Sequence, residues 1–295
     1  MLNDIAHLIP GREHSLGSFS VKRVLPYAKK RMVGPFIFWD HMGLAVFAKG
    51  YGMTVSPHPH IGLSTLTYLL EGRIQHRDSL GNEAIIRPGE VNWMTAGHGI
   101  AHSERSVEAD LEGEHKLHGI QLWIALPDDQ EDRPPSFVHV EREKISSLDL
   151  GPKHCLLVAG SAHGKTSPVP VFSPMFLIDA RCESGENFVF DPDSQELGVY
   201  VATGSIELIG DGGFRIGAGN MAVLTKGSSI EFRALENSQV FVFGGEPFKT
   251  DRHVWWNFVS SSKVKIEEAK RRWEADEFPP VINESKFSKI PLPKA

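Results

Sequence analysis

His118-Gly-Ile-Gln-Leu-Trp-Ile-Ala-Leu126 sets His118, Ile120, Leu122, Ile124 and Leu126 at alternate positions and stops at Pro127. A period of two puts those five side chains on one face of an extended strand. Working outward, Leu63–Leu70 is rich in β-branched and apolar residues and ends at Glu71-Gly72, while Val91–Thr95 follows the Pro88-Gly89 turn. Long helical periodicity is missing from most of the chain. Short apolar segments cut at even intervals by Gly, Pro and Asn predict an all-β sandwich or barrel.

A second block has the same texture. Val199–Thr203, Ser205–Ile209, Met221–Leu224, Ile230–Arg233 and Gln239–Phe243 are strand-like and bounded by Gly204, Gly210, Gly219, Gly227 and Gly244. Tyr68-Leu-Leu-Glu-Gly72 overlays Tyr200-Val-Ala-Thr-Gly204 at an offset of 132, and Pro88 to Gly97 overlays Ala218 to Gly227 at 130. Two similar units in tandem explain both offsets, a small loop change absorbing the difference. The proline-rich stretch 128–170 suits a linker with some strand content. The expected division is 1–135 and 136–295. The second part ends in an amphipathic helix over Lys263–Glu274, with Ile266, Ala269, Lys270 and Trp273 at 3–4 spacing.

Composition limits the chemistry. The 295 residues are 41% hydrophobic and 23% charged, with a net charge of -6, which offers no global basic footprint for nucleic acid. Apolar runs fall short of the ~20 residues that a membrane span needs. The start, MLNDIAHLIPGREHS, carries Asp4 and lacks the apolar core of a signal peptide, so a soluble cytoplasmic protein is expected. Two cysteines, Cys155 and Cys182, make neither a disulfide framework nor a zinc–cysteine site, whereas fourteen histidines point to a metal held by imidazole and carboxylate.

His58-Pro59-His60 is the first candidate clip, because residues i and i+2 of a strand share a face and can offer two imidazoles to one metal. His102-Ser103-Glu104 repeats the device with an imidazole and a carboxylate. His76-Arg77-Asp78 has the same spacing, so spacing alone leaves it as a competing ligand, a supporting residue or a hairpin stabiliser. His41 and His118 are core or pocket-lining histidines, His98 sits in a turn, and Gln121 is a pocket candidate. Shifted by the repeat offset, the two clips land near Phe190 and Pro192 and near Phe232 and Ala234, and 165–252 holds no histidine. The first unit is therefore the chemical one.

These residues resemble a known family. His58-Pro-His60-Ile-Gly-Leu-Ser-Thr-Leu-Thr-Tyr-Leu-Leu-Glu-Gly72, His76-Arg-Asp-Ser-Leu-Gly81, Pro88-Gly-Glu-Val-Asn-Trp-Met-Thr-Ala-Gly97 and Gly99-Ile-Ala-His-Ser-Glu104 strongly resemble the pirins. Gly34-Pro-Phe36, Asp40-His41-Met42-Gly43 and His118 to Trp123 do so too, so the likeness covers most of the chain. The resemblance implies two tandem cupin (jelly-roll) barrels with a C-terminal helix. It implies one mononuclear divalent metal, iron(II) ahead of Mn, Ni, Cu or Zn, on His58, His60, His102 and Glu104, with His76 not a ligand. It also implies quercetinase-type dioxygenase chemistry on a flavonol or related aromatic with dioxygen, Glu104 serving as general base. The alternative it carries is an iron-binding transcription cofactor working through protein partners. Many pirins have Arg, Phe and Glu where this chain has Ile61, Leu63 and Ser64, which leaves the charge at the pocket mouth open.

Overall fold

The computed structural model describes residues 5–192, 195–209 and 212–294. Asp4 and Gly210, used above, lie outside them. Among the described residues the architecture is strands with three short 3-10 turns and one α-helix, Lys263–Glu274.

The chain forms two compact units whose segments interleave. One comprises the described parts of His14–Val21, Met42–His139 and Lys249–Ala295, the other those of Met1–Glu13, Lys22–His41 and Val140–Phe248. Segments from the two ends of the chain thus cross over, the N-terminal strand lying in the unit of 140–248 and the C-terminal segment in that of 42–139. The physical reason differs at each end. Ile5–Pro10 pairs antiparallel with Asn220–Leu224, supplying backbone partners that this strand would otherwise lack. The helix, expected in the second barrel, buries Ile266, Ala269 and Trp273 in a cluster with Ile61, Ala101 and Phe258 of the 42–139 unit. Periodicity revealed the helix's apolar face, but not the surface that covers it.

In the 42–139 unit a four-stranded sheet runs Thr54–His60, Ile100–Ser106, Ile74–Asp78, Glu83–Ile86. A second sheet includes, in order, Ser136–Val140, Val91–Thr95, Leu63–Glu71 and His115–Ala125. In the 140–248 unit the large sheet orders Ile5–Pro10, Asn220–Leu224, Glu196–Thr203, Ser238–Gly245, Met175–Cys182, His154–Ala162 and Ser146–Leu148. Its small sheet orders Asn187–Phe190, Ile230–Ala234, Ser205–Leu208 and Phe214–Gly217.

The two small sheets have the same order, which permits a residue-by-residue comparison. His102 stands opposite His58 in one, and Phe232 opposite Phe188 in the other. A uniform offset of 130 relates these pairs, so the counterparts of His58 and His60 are Phe188 and Phe190. The sequence overlay, anchored on the Tyr68 strand, had placed them at Phe190 and Pro192. Phe188 and Phe232 stack at 4.8 Å and join a core of aliphatic side chains from both sheets. One unit thus keeps imidazoles where the other is packed with phenyl rings.

Candidate metal centre

Strand geometry aims the clips. His102 and Glu104 point to one face of Ile100–Ser106, and Ser103 and Arg105 to the other. On the inner face His102 stands opposite both His58 and Asp78, and Glu104 opposite His76. The pairing of Ile100–Ser106 with Thr54–His60 is bulged between His102 and Glu104, since Glu104 faces Val55. Such a bulge re-aims neighbouring side chains.

Imidazole nitrogens of His58, His60 and His102 lie within 4.8 Å of one another, and those of His76 and His102 with a Glu104 oxygen form a second such group. All five residues are buried, His58 and Glu104 being the most exposed of them at 7% and 6%. His58 Nδ1 donates to Ser56 O at 2.9 Å and His60 Nδ1 to Asn257 O at 3.0 Å. His102 Nδ1 faces His76 Nδ1 at 3.5 Å, and His76 Nε2 donates to Asp78 Oδ2 at 3.2 Å. The tautomers consistent with these partners put hydrogen on Nδ1 of His58, His60 and His102 and leave each Nε2 as a free lone pair. His60 Nε2 and His102 Nε2 are then 3.1 Å apart. With that proton placement two lone pairs face each other in a buried site, a repulsion that a cation between them relieves, and the three nitrogens suit a divalent transition metal, while Glu104 joins His102 in the neighbouring group with His76.

Electrostatics favour the same state. Burial is the main cause that brings His58 down to about 4, and burial with the neighbouring imidazoles holds His60 and His102 well below their ordinary value. They are neutral, as ligation requires. Burial pushes the Glu104 carboxyl upward, opposed by His76 and by hydrogen bonds from Thr67 and Gln121. Thr67 Oγ1 lies 3.3 Å from Glu104 Oε1 and 3.0 Å from the Gln121 side-chain amide. Gln121 donates its NH2 to Glu104 and presents its Oε1 to Thr67, whose single hydroxyl proton has both the Gln121 oxygen and the Glu104 carboxylate within reach.

Gln121 therefore lies in the site, but His41 does not. It belongs to the other unit, where its Nδ1 meets the Tyr200 hydroxyl at 2.8 Å. His98 is exposed and half-buried His118 is on the opposite strand face from Gln121. Ser64 has the opposite parity to inward-facing Thr67 and bonds Thr95 Oγ1 at 3.1 Å. Ile61 is buried against the helix and Leu63 is fully buried.

Sequence reasoning missed Thr67, Trp123, Phe137 and Asn257. The Trp123 ring stands edge-on to His60 at 5.2 Å, and Phe137 stacks on His76 at 4.5 Å. Strand parity identifies Thr67 and Trp123, which stand opposite Gln121 and Thr65. Asn257 acts through its carbonyl and leaves no side-chain signature.

The pirin family profile matches residues 18–124 and the profile of the pirin C-terminal cupin domain residues 177–279. A pirin-like protein of Caulobacter vibrioides is 47% identical over 287 residues, 96% of this chain and 97% of that protein. A Pseudomonas aeruginosa protein provisionally named a quercetin 2,3-dioxygenase is 39% identical over 263 residues, 88% of this chain and 80% of that protein. The crystal structure of quercetin 2,3-dioxygenase from Acinetobacter baumannii superposes with a TM-score of 0.89 at 34% identity, covering 98% of this chain and 95% of that one.

Proposed function

This chain belongs to the pirin family, and from that premise we propose that it is a metal-dependent dioxygenase acting on a flavonol or related aromatic. The observation that carries the reading is the buried pair of Nε2 atoms 3.1 Å apart, with both Nδ1 atoms already committed. His58, His60 and His102 through Nε2, and Glu104 through its carboxylate, are assigned to one divalent ion, iron(II) first. A six-coordinate ion held by these four residues would keep room for other ligands.

A metal held there would supply Lewis acidity toward the substrate hydroxyl and redox chemistry toward dioxygen. The protein's own groups do the rest. Glu104 is the carboxylate placed to accept the hydroxyl proton. Thr67 and Gln121 hold that carboxylate in place. Asp78 fixes the tautomer of His76, and His76 that of His102. Trp123 and Phe137 offer the aromatic walls against which a flat ring packs.

Oxygen uptake and carbon monoxide release with quercetin, measured on iron-loaded protein, test the proposal, together with metal analysis of freshly purified protein. Turnover retained in His102→Ala refutes the ligand assignment. Metal-loaded protein without uptake across several flavonols and catechols refutes the enzyme reading and moves the family's regulatory role, through protein partners, into its place.

A further inference from the structure

The strand that carries His102 and Glu104 has an outer face, and that face is held by a segment far away in sequence. Ser103 lies between the two assigned ligands, at the bulge where pairing with Thr54–His60 shifts register. Its hydroxyl donates to Glu284 Oε2 at 2.9 Å, and Arg105 Nη1 reaches Glu284 Oε1 at 3.3 Å. The Glu284 side chain is only 1% exposed. A buried carboxylate is costly unless it is paired and hydrogen-bonded, so this contact is a built one. On the facing strand the same segment returns, and Ile290 N donates to Pro57 O at 2.8 Å. Pro57 is the residue before His58 and has no amide hydrogen of its own to give. Residues 284–290 therefore bond to both strands beside the irregularity that separates the clips.

We propose that Glu284 is a positioning residue of the metal centre. Through Ser103 and Arg105 it fixes the bulged strand so that His102 and Glu104 are aimed at the same ion as His58 and His60. The inference rests on the ligand assignment above, but not on the identity of the substrate. A residue that only stabilises the fold would change the melting temperature. One that aims ligands must also change the metal's affinity and its ligand field.

Cobalt(II) is the probe. Apoprotein is titrated with it against a competing chelator, and its visible absorption is recorded, for wild type, Glu284→Ala, Glu284→Gln, Ser103→Ala and the Ser103→Ala/Glu284→Ala double variant. Glu284→Ala is expected to weaken cobalt binding about tenfold or more and to shift the visible bands, the usual consequence of removing a partner that orients ligands. Glu284→Gln, which keeps an acceptor for Ser103, falls between it and wild type. Ser103→Ala carries the same signature in a protein with little lost packing, and the double variant loses less than the sum of the two. Unchanged cobalt affinity and spectrum in both Glu284→Ala and Ser103→Ala, whatever their melting temperatures, overturn the proposal. Wild-type protein that binds cobalt but consumes no oxygen with flavonols when iron-loaded overturns the dioxygenase reading and leaves the positioning role standing.

Discussion

Removing the divalent ion and returning it should move the melting temperature by an amount set by linkage. The assigned ligands come from two strands brought together only by folding, so the ion binds the native unit and not the unfolded chain. At a free metal concentration about 100-fold above its Kd, native-state binding adds about 2.7 kcal/mol. The unit that holds the site has about 150 residues, and for that size 1 kcal/mol shifts the transition by ~2–4 °C. The reconstituted protein should therefore melt ~5–11 °C above the chelated one. Each further tenfold in metal adds about 1.4 kcal/mol. The assay is differential scanning calorimetry of apo and reloaded protein at one pH and ionic strength, with His102→Ala as the control that cannot gain. A shift below 1 °C at saturating metal, or an equal shift in His102→Ala, refutes the assignment of the ion to these nitrogens.

Three further outcomes follow from the same geometry. Phe232→Ala removes a fully buried ring stacked on Phe188 and should cost ~3–5 kcal/mol in denaturant unfolding. It should leave cobalt titrations of the 42–139 unit unchanged, and weakened metal binding would show that the phenyl-packed barrel is more than a scaffold. Gly62 has φ +65°, and a Cβ there would sit 1.9 Å from Val259 O. Gly62→Ala should lose at least ~1–2 kcal/mol from the left-handed backbone alone, and weaker metal binding should accompany it because Asn257 lies two residues from the displaced carbonyl. A melting temperature equal to wild type would refute this. Cys155 and Cys182 are buried, and burial with nearby acidic groups pushes both thiols up to about 12. At pH 8 they stay protonated, so iodoacetamide should label them only after unfolding. Rapid labelling of native protein would contradict the burial.

The parts of the site visible in the sequence are those whose signal is local. The i,i+2 spacing of His58 and His60, and of His102 and Glu104, is a property of a strand and survives without knowledge of its neighbours. The strand alternation of His118 to Leu126 is local in the same sense, and most of it lies in the strand His115–Ala125, where Ile120, Leu122 and Ile124 are buried. The dimension that the sequence hides is pairing. The overlay anchored on Tyr68 and Tyr200 missed the true counterpart of His58 by two residues, because a loop difference separates that strand from the clip. His41 sits in a polar dipeptide that suits a pocket, yet its partner is Tyr200, 159 positions away. Asn257 and Glu284 meet the centre from 197 and 181 residues beyond His60 and Ser103. No periodicity encodes such distances. His76 is an intermediate case, since spacing could not separate ligand from supporter. Its bond to Asp78 and its Nδ1 facing His102 support the second role.

The exchange of chain ends also has a consequence in time. A ribosome finishes residues 42–139, with every assigned ligand, and must then make the whole of 140–248 before it reaches Asn257, the helix and Glu284. Until then His60 lacks its carbonyl partner, and the outer face of the His102 strand is uncovered. An ion arriving during synthesis meets loose imidazoles, and one arriving after release meets a finished cage. The assigned ligands would therefore be fully positioned for an ion only after Asn257 and Glu284 have been made.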